Sequence, residues 1–134
     1  MSVVGLTEDQ EEILAAVRAF VDKDVIPVAS DMEHADEFPT AMVETMREMG
    51  LFAVTIPEEY GGLGLGLDTY AMIIMELSRG WITLPGILNG SFIASWMIRL
   101  HGTDEQRQKF LPKLAACDIR ASFSMTEPHA GSDV

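Results

Sequence analysis

A chain of 134 residues with 48% apolar content has room for one compact domain, large enough to bury roughly two thirds of the surface its unfolded form exposes. The formal charge of −12, from 21 acidic against 9 basic residues, argues against a nucleic-acid partner, because affinity for polyanions comes from neutralising phosphates with Lys and Arg. A single cysteine, Cys117, excludes an intramolecular disulfide and points to a reducing compartment.

The first six residues, Met1 to Leu6, lack the basic start and apolar core of a secretory peptide, and the acids that follow contradict a transit peptide, so the expected location is the cytoplasm. Thr7 and Gln10 have capping-box spacing and open a first helix. Its apolar positions Ile13, Leu14, Val17, Phe20, Val21 and Val25 recur at three- and four-residue steps, and Pro27 should kink or end it. A second, short pattern opens at Pro39-Thr40, carries Met42, Val43, Met46 and Met49, and stops at Gly50, where a positive φ is expected. Residues 51–56 read as extended and run into a loop over 57–67 whose four glycines remove any regular element.

Asp68 is placed to cap a third helix over 68–79, ended by Gly80, and a fourth occupies much of 86–100, ended by Gly102. The most apolar stretch, 82–100, is interrupted by Pro85, Gly86, Asn89, Gly90, Ser91 and Ser95 and carries Arg99, which suits a buried helix and not a membrane span. Thr103 and Gln106 repeat the capping box and start a fifth helix with Phe110, Leu111 and Leu114, kinked at Pro112. The period then changes. Ile119, Ala121, Phe123 and Met125 alternate with Arg120, Ser122 and Ser124, the repeat of a half-buried strand whose ladder groups must be paired from elsewhere.

Most candidate chemistry reduces to structural duty. The run Gly61-Gly-Leu-Gly-Leu-Gly66 lacks the lysine, the hydroxyl and the strand–turn–helix context of a phosphate loop, and reads as a connector packed against backbone. Asp31, Glu33, His34, Asp36 and Glu37 match neither EF-hand nor zinc spacing, so no metal is expected. His101 falls at a helix C-terminus without a nucleophile, Cys117 lacks a basic neighbour that would make it a thiolate, and the nine methionines fill core. The terminal turn, with Thr126, Ser132 and the amides around Gly131, has the donors of an anion contact.

That terminal stretch, Thr126-Glu-Pro-His-Ala-Gly-Ser-Asp133 after Phe123, resembles a signature of the acyl-CoA dehydrogenase family of flavoenzymes. The likeness is repeated in family order by Pro57-Glu-Glu-Tyr-Gly-Gly-Leu-Gly64, by Glu76-Leu-Ser-Arg79, and by the segment from Gly102 to Leu114, so it covers nearly the whole chain. The fold it implies is mainly α: an N-terminal helical domain over 1–118, then, over 119–134, the first strand of a middle β domain whose remainder, with a C-terminal helical bundle, is expected on a further segment or companion chain. The cofactor implied is FAD, with Phe123, Met125 and Thr126 beside the flavin ring, Gly131 in the turn, and Ser132 at the flavin pyrophosphate or the CoA moiety. By the same register Gly86, Asn89, Gly90 and Ile93 would line the acyl pocket, with Asn89 in need of a polar partner.

The implied reaction is α,β-dehydrogenation of an acyl-CoA. The base is a glutamate of the C-terminal bundle, so no catalytic residue is assigned to this chain and Glu127 is read as a turn residue. The partners implied are the acyl-CoA substrate, further copies or other subunits in a homo- or hetero-oligomer, and an electron-transfer flavoprotein as acceptor. Two other readings share these signatures: a non-catalytic helical interaction module descended from the family, and part of a related flavin oxidase or monooxygenase. His129 and the pair Cys117-Asp118 depart mildly from the family pattern, the latter standing where a Gly-acid turn is more usual.

Overall fold

The computed structural model describes residues 6–132; the residues before Leu6, read as lacking a targeting peptide, and Asp133 of the terminal signature lie outside the described residues. Helix α1 (Glu8–Phe20) starts on the expected capping box, with the Gln10 amide donating to Thr7 Oγ1 at 3.3 Å and the Thr7 amide to Gln10 Oε1 at 3.0 Å. Its inner stripe continues through Val17, Val21 and Val25, all fully buried. Pro27 does not end the helix. A widened π turn (Val21–Val25), in which the Ile26 N–H donates to Val21 O, precedes it, and α2 (Ile26–His34) carries Pro27 in its first turn, where the wider turn accommodates the ring and the missing N–H.

Helix α3 (Thr40–Glu48) buries Met42, Val43 and Met46 and stops at Gly50, which adopts the expected left-handed conformation at φ 72°. Residues 51–56 are not extended, contrary to their reading as a strand-like run. They form a 3₁₀ turn (Leu51–Ala53) followed by further turns, and all six side chains are buried. A strand would send alternate side chains outward, which this run of apolar residues with no ladder partner does not favour. The glycine loop supplies the bonds instead: Leu63 N–H donates to Ala53 O at 2.9 Å, Gly64 N–H to Ile56 O at 2.8 Å and Leu65 N–H to Val54 O at 2.8 Å. The loop is the structural connector that its sequence suggests.

A second 3₁₀ turn (Glu58–Tyr60) leads to α4 (Leu67–Gly80), which begins after Gly66 without a cap from Asp68. The Asp68 carboxylate is used otherwise, accepting from Gln10 Nε2 at 3.1 Å, while Thr69 Oγ1 accepts from the same amide at 2.7 Å. Along the α1–α4 seam Glu76, its side chain 16% exposed, takes Arg18 on one side and Arg79 at 3.0 Å on the other, and Arg79 reaches Asp22 at 2.7 Å. The Arg18 hydrogen bond, with help from Arg79, holds the Glu76 carboxyl below its ordinary value of 4.5. A carboxyl depressed in the folded state stabilises fully above its unfolded pKa and loses that contribution as the pH falls through the lower folded value. Urea midpoints should therefore drop below about pH 4.5, and Glu76→Gln should flatten that part of the profile; an unchanged slope would remove Glu76 from the account.

Helix α5 (Thr83–His101) packs on α4 and on α6 (Asp104–Ala115), with Leu84, Leu88, Ser91 and Ser95 forming its inner stripe. The second capping box is present at Thr103 and Gln106, and α6 runs through Pro112 to Ala115. The main core gathers α1 to α5, and Ile56, Leu111 and Leu114 form a smaller cluster under α6. No described helix is long and apolar enough to cross a membrane.

After α6 the chain turns at Cys117, whose φ of 57° is left-handed, the geometry for which a glycine is the ordinary choice. Residues 119–126 form neither helix nor strand, and among the described residues no β-ladder exists. The alternation has the period of a strand, but a strand also needs a neighbour to pair with, and none lies within the described chain. A single bridge, Glu127 with Ala130, closes the following turn.

Candidate functional site

One face of α5 and the segment after α6 enclose an open cleft of about 700 Å³. Gly86, Asn89, Gly90 and Ile93 come from α5, Arg120, Ala121, Ser122 and Phe123 from the segment, and Phe38 from the α2–α3 connection. Two features set the approach of the two walls. The Ala121 amide donates to the buried Ser91 hydroxyl at 3.4 Å, and Gly90 lets the backbone come close: a Cβ there would sit 2.5 Å from Ala121 O.

The polar partner expected for Asn89 is present. The Tyr70 hydroxyl donates to Asn89 Oδ1 at 3.4 Å, and the Tyr70 ring stacks on Phe92 at 4.2 Å between centroids. Burial alone pushes the Tyr70 phenol well above its ordinary range, so at neutral pH it is a donor and never a phenolate. Asn89 itself is exposed in this chain and not deeply placed.

The cleft thus unites all four residues expected around an acyl group with Phe123, one of those expected beside a flavin. Met125, Thr126, Gly131 and Ser132 do not line it; they follow along the exposed segment, where the Phe123 and Met125 side chains are 57% and 53% exposed. Sequence reasoning misses Phe38 and Arg120. The alternation puts Arg120 on the outer side of a strand, whereas its guanidinium lies 5.4 Å from the Phe38 ring centroid.

The other candidates take structural roles. Glu33 of the acidic group accepts from the Trp81 indole N–H and from Thr83 Oγ1 at 3.5 Å, and the His34 ring contacts Ser30 O at 2.6 Å. His101 is the exposed last residue of α5. Burial raises the Cys117 thiol, the opposite of activation. The Glu127 amide donates to Ala130 O at 2.7 Å within the terminal turn.

A family model described as acyl-CoA dehydrogenase, N-terminal domain, matches residues 7–118. The chain belongs to the acyl-CoA dehydrogenase family. It is 42% identical over 131 residues to (2S)-methylsuccinyl-CoA dehydrogenase of Cereibacter sphaeroides, covering 97% of this chain and 24% of that protein. To an acyl-CoA dehydrogenase of Bacillus subtilis it is 36% identical, covering 96% of this chain and 34% of that one. Its fold superposes on a glutaryl-coenzyme A dehydrogenase solved with glutaryl-CoA at a TM-score of 0.89 and 32% identity, over 98% of this chain and 34% of the other. The chain therefore spans between a quarter and about a third of the length of these relatives. What it adopts is the helical N-terminal domain of the acyl-CoA dehydrogenase fold.

Proposed function

We propose that this chain is the helical N-terminal part of a flavin-dependent acyl-CoA dehydrogenase, which oxidises the α,β bond of an acyl-CoA thioester. The observation that carries the proposal is the cleft itself, in which α5 meets the segment bearing Phe123. The residues present fit a flavin. Among the described residues the amides of Ser122, Phe123, Ser124, Met125 and Thr126 have no intrachain acceptor, and they alternate with the exposed side chains of Phe123 and Met125. A strip of backbone donors beside apolar surface suits a ring system with polar edges and apolar faces. Phe123, Met125 and Thr126 would hold its edge, with Gly131 and Ser132 at the pyrophosphate or the CoA moiety. When bound, FAD supplies the acceptor for the substrate's β-hydride.

The chain's own contribution is positioning. Gly86 leaves room for the acyl chain, Gly90 lets residues 121–122 close against α5, Ile93 and Phe123 give apolar walls and exclude water, and Tyr70 holds Asn89 in place. The base that removes the α-proton is assigned to a segment beyond these residues, as are the strands that would pair with the amides left free over 122–126. The same reading makes an electron-transfer flavoprotein the acceptor, an oligomer the working form and the cytoplasm its location.

The test is anaerobic. Protein containing this chain should hold FAD and lose its visible flavin absorbance when an acyl-CoA is added. Colourless protein that takes up no added FAD would defeat the proposal in favour of a non-catalytic module, and rapid peroxide formation in air would move it to an oxidase.

A further inference from the structure

The cleft is unusual for this chain in its charge. Six arginines are present in a molecule with 21 acidic residues. Arg18, Arg47, Arg79 and Arg107 pair with carboxylates, and Arg99 donates to Thr55 O at 3.3 Å while lying over the Trp96 ring. Arg120 alone has no acceptor among the described residues, and the side chain it meets is the Phe38 ring. It lines a cleft to which no Asp or Glu contributes. A guanidinium carries five donors in a planar fork that matches a carboxylate, and such charge-assisted pairs are the strong ones. Asn89 adds to this. Because its carbonyl oxygen is taken by the Tyr70 hydroxyl, it has its amide nitrogen left to donate. Two donor groups thus face a cleft otherwise walled by Ile93, Phe123 and Phe38.

We propose that this cleft takes an acyl thioester whose far end carries a second carboxylate, with Arg120 as the residue that recognises it and Asn89 as its companion donor. This rests on the acyl-CoA reading above. The phosphates of CoA are the other anions such a substrate brings, but in that reading they fall to Ser132, which does not line the cleft.

The experiment compares glutaryl-CoA with pentanoyl-CoA, which replaces the distal carboxylate by a methyl and keeps the chain length and the CoA moiety. Both kcat/KM and equilibrium binding by titration calorimetry are measured on the flavin-loaded protein, in wild type, Arg120→Lys and Arg120→Met. Wild type should favour glutaryl-CoA by about 10- to 100-fold, the range of a hydrogen-bonded charge pair. In Arg120→Met that ratio should fall to near unity, with Arg120→Lys between. Absence of preference in wild type overturns the proposal even if Arg120→Met does not fold, and so does a variant that weakens both thioesters equally, which is the signature of a contact to the CoA phosphates. The two readings fail separately: turnover of pentanoyl-CoA without preference sinks this one alone, whereas preferential binding of glutaryl-CoA with no turnover of either supports this one and sinks the dehydrogenase.

Discussion

Gly62→Ala should destabilise the domain by about 3–5 kcal/mol, a large part of the 5–15 kcal/mol that holds a typical domain folded. An alanine Cβ at this position would lie 1.9 Å from Ile56 O, 2.4 Å from Ile56 C and 2.6 Å from Ile56 Cβ. The first two obstacles are backbone, so no rotamer change relieves them. Ordinary overpacking costs about 1–3 kcal/mol, because side chains can shift. Here the displaced carbonyl belongs to the buried Ile56 and is the acceptor for Gly64 N–H at 2.8 Å, and leaving it unpaired adds about 1–3 kcal/mol. The neighbouring glycine is the control. A Cβ at Gly61 would meet nothing within 4 Å, but the residue sits at φ 80°, so Gly61→Ala carries the left-handed penalty of about 1–2 kcal/mol and no clash. Urea midpoints followed by far-ultraviolet circular dichroism decide the matter. Equal losses at 61 and 62 would mean that dihedral preference, and not contact with Ile56, explains the glycine run.

The same loop shows what a sequence makes legible. Each capping box needs only a residue and its third neighbour, so Thr7–Gln10 and Thr103–Gln106 can be read directly, and so can the buried stripe of α1, which the π turn carries on to Val25. Pro27 misleads because its effect depends on what precedes it: after a widened turn it starts a helix. Residues 51–56 mislead because a buried run with five apolar residues of six has no period of its own, and the decisive bonds come from 63–65. The alternation over 119–126 has a strand's period without a ladder partner to enforce it, and consecutive residues 120–123 border one cleft. The acyl positions on α5 come from family register and fall in one cleft, but Arg120 is invisible as a cleft residue. Its place there depends on the turn at Cys117 and on Phe38, more than 80 positions earlier in the chain by their numbers.

In the proposed dehydrogenase, Gly90→Val should reduce kcat/KM for acyl-CoA oxidation about 100-fold or more, the penalty of moving a reacting group by about 1 Å. The contact that sets the width of the cleft is the obstacle. Even the first carbon of a side chain at 90 would stand 2.5 Å from Ala121 O and 3.4 Å from Ser122 Cα, so the segment must retreat from α5. Retreat breaks the bond from the Ala121 amide to Ser91 Oγ and carries Phe123, a wall of the cleft, with it. Stability should suffer far less than activity, because residues 122–129 are exposed and can move without opening the main core. Gly86→Ala separates filling from displacement. Its Cβ meets nothing within 4 Å, so it trims the cleft by one methyl, leaves the segment in place and, as a helical glycine, gains up to about 1 kcal/mol of stability. Steady-state kinetics, flavin content and thermal midpoints measured together give the answer: Gly90→Val with wild-type kinetics would mean that the wall formed by α5 and residues 120–123 does not border the substrate.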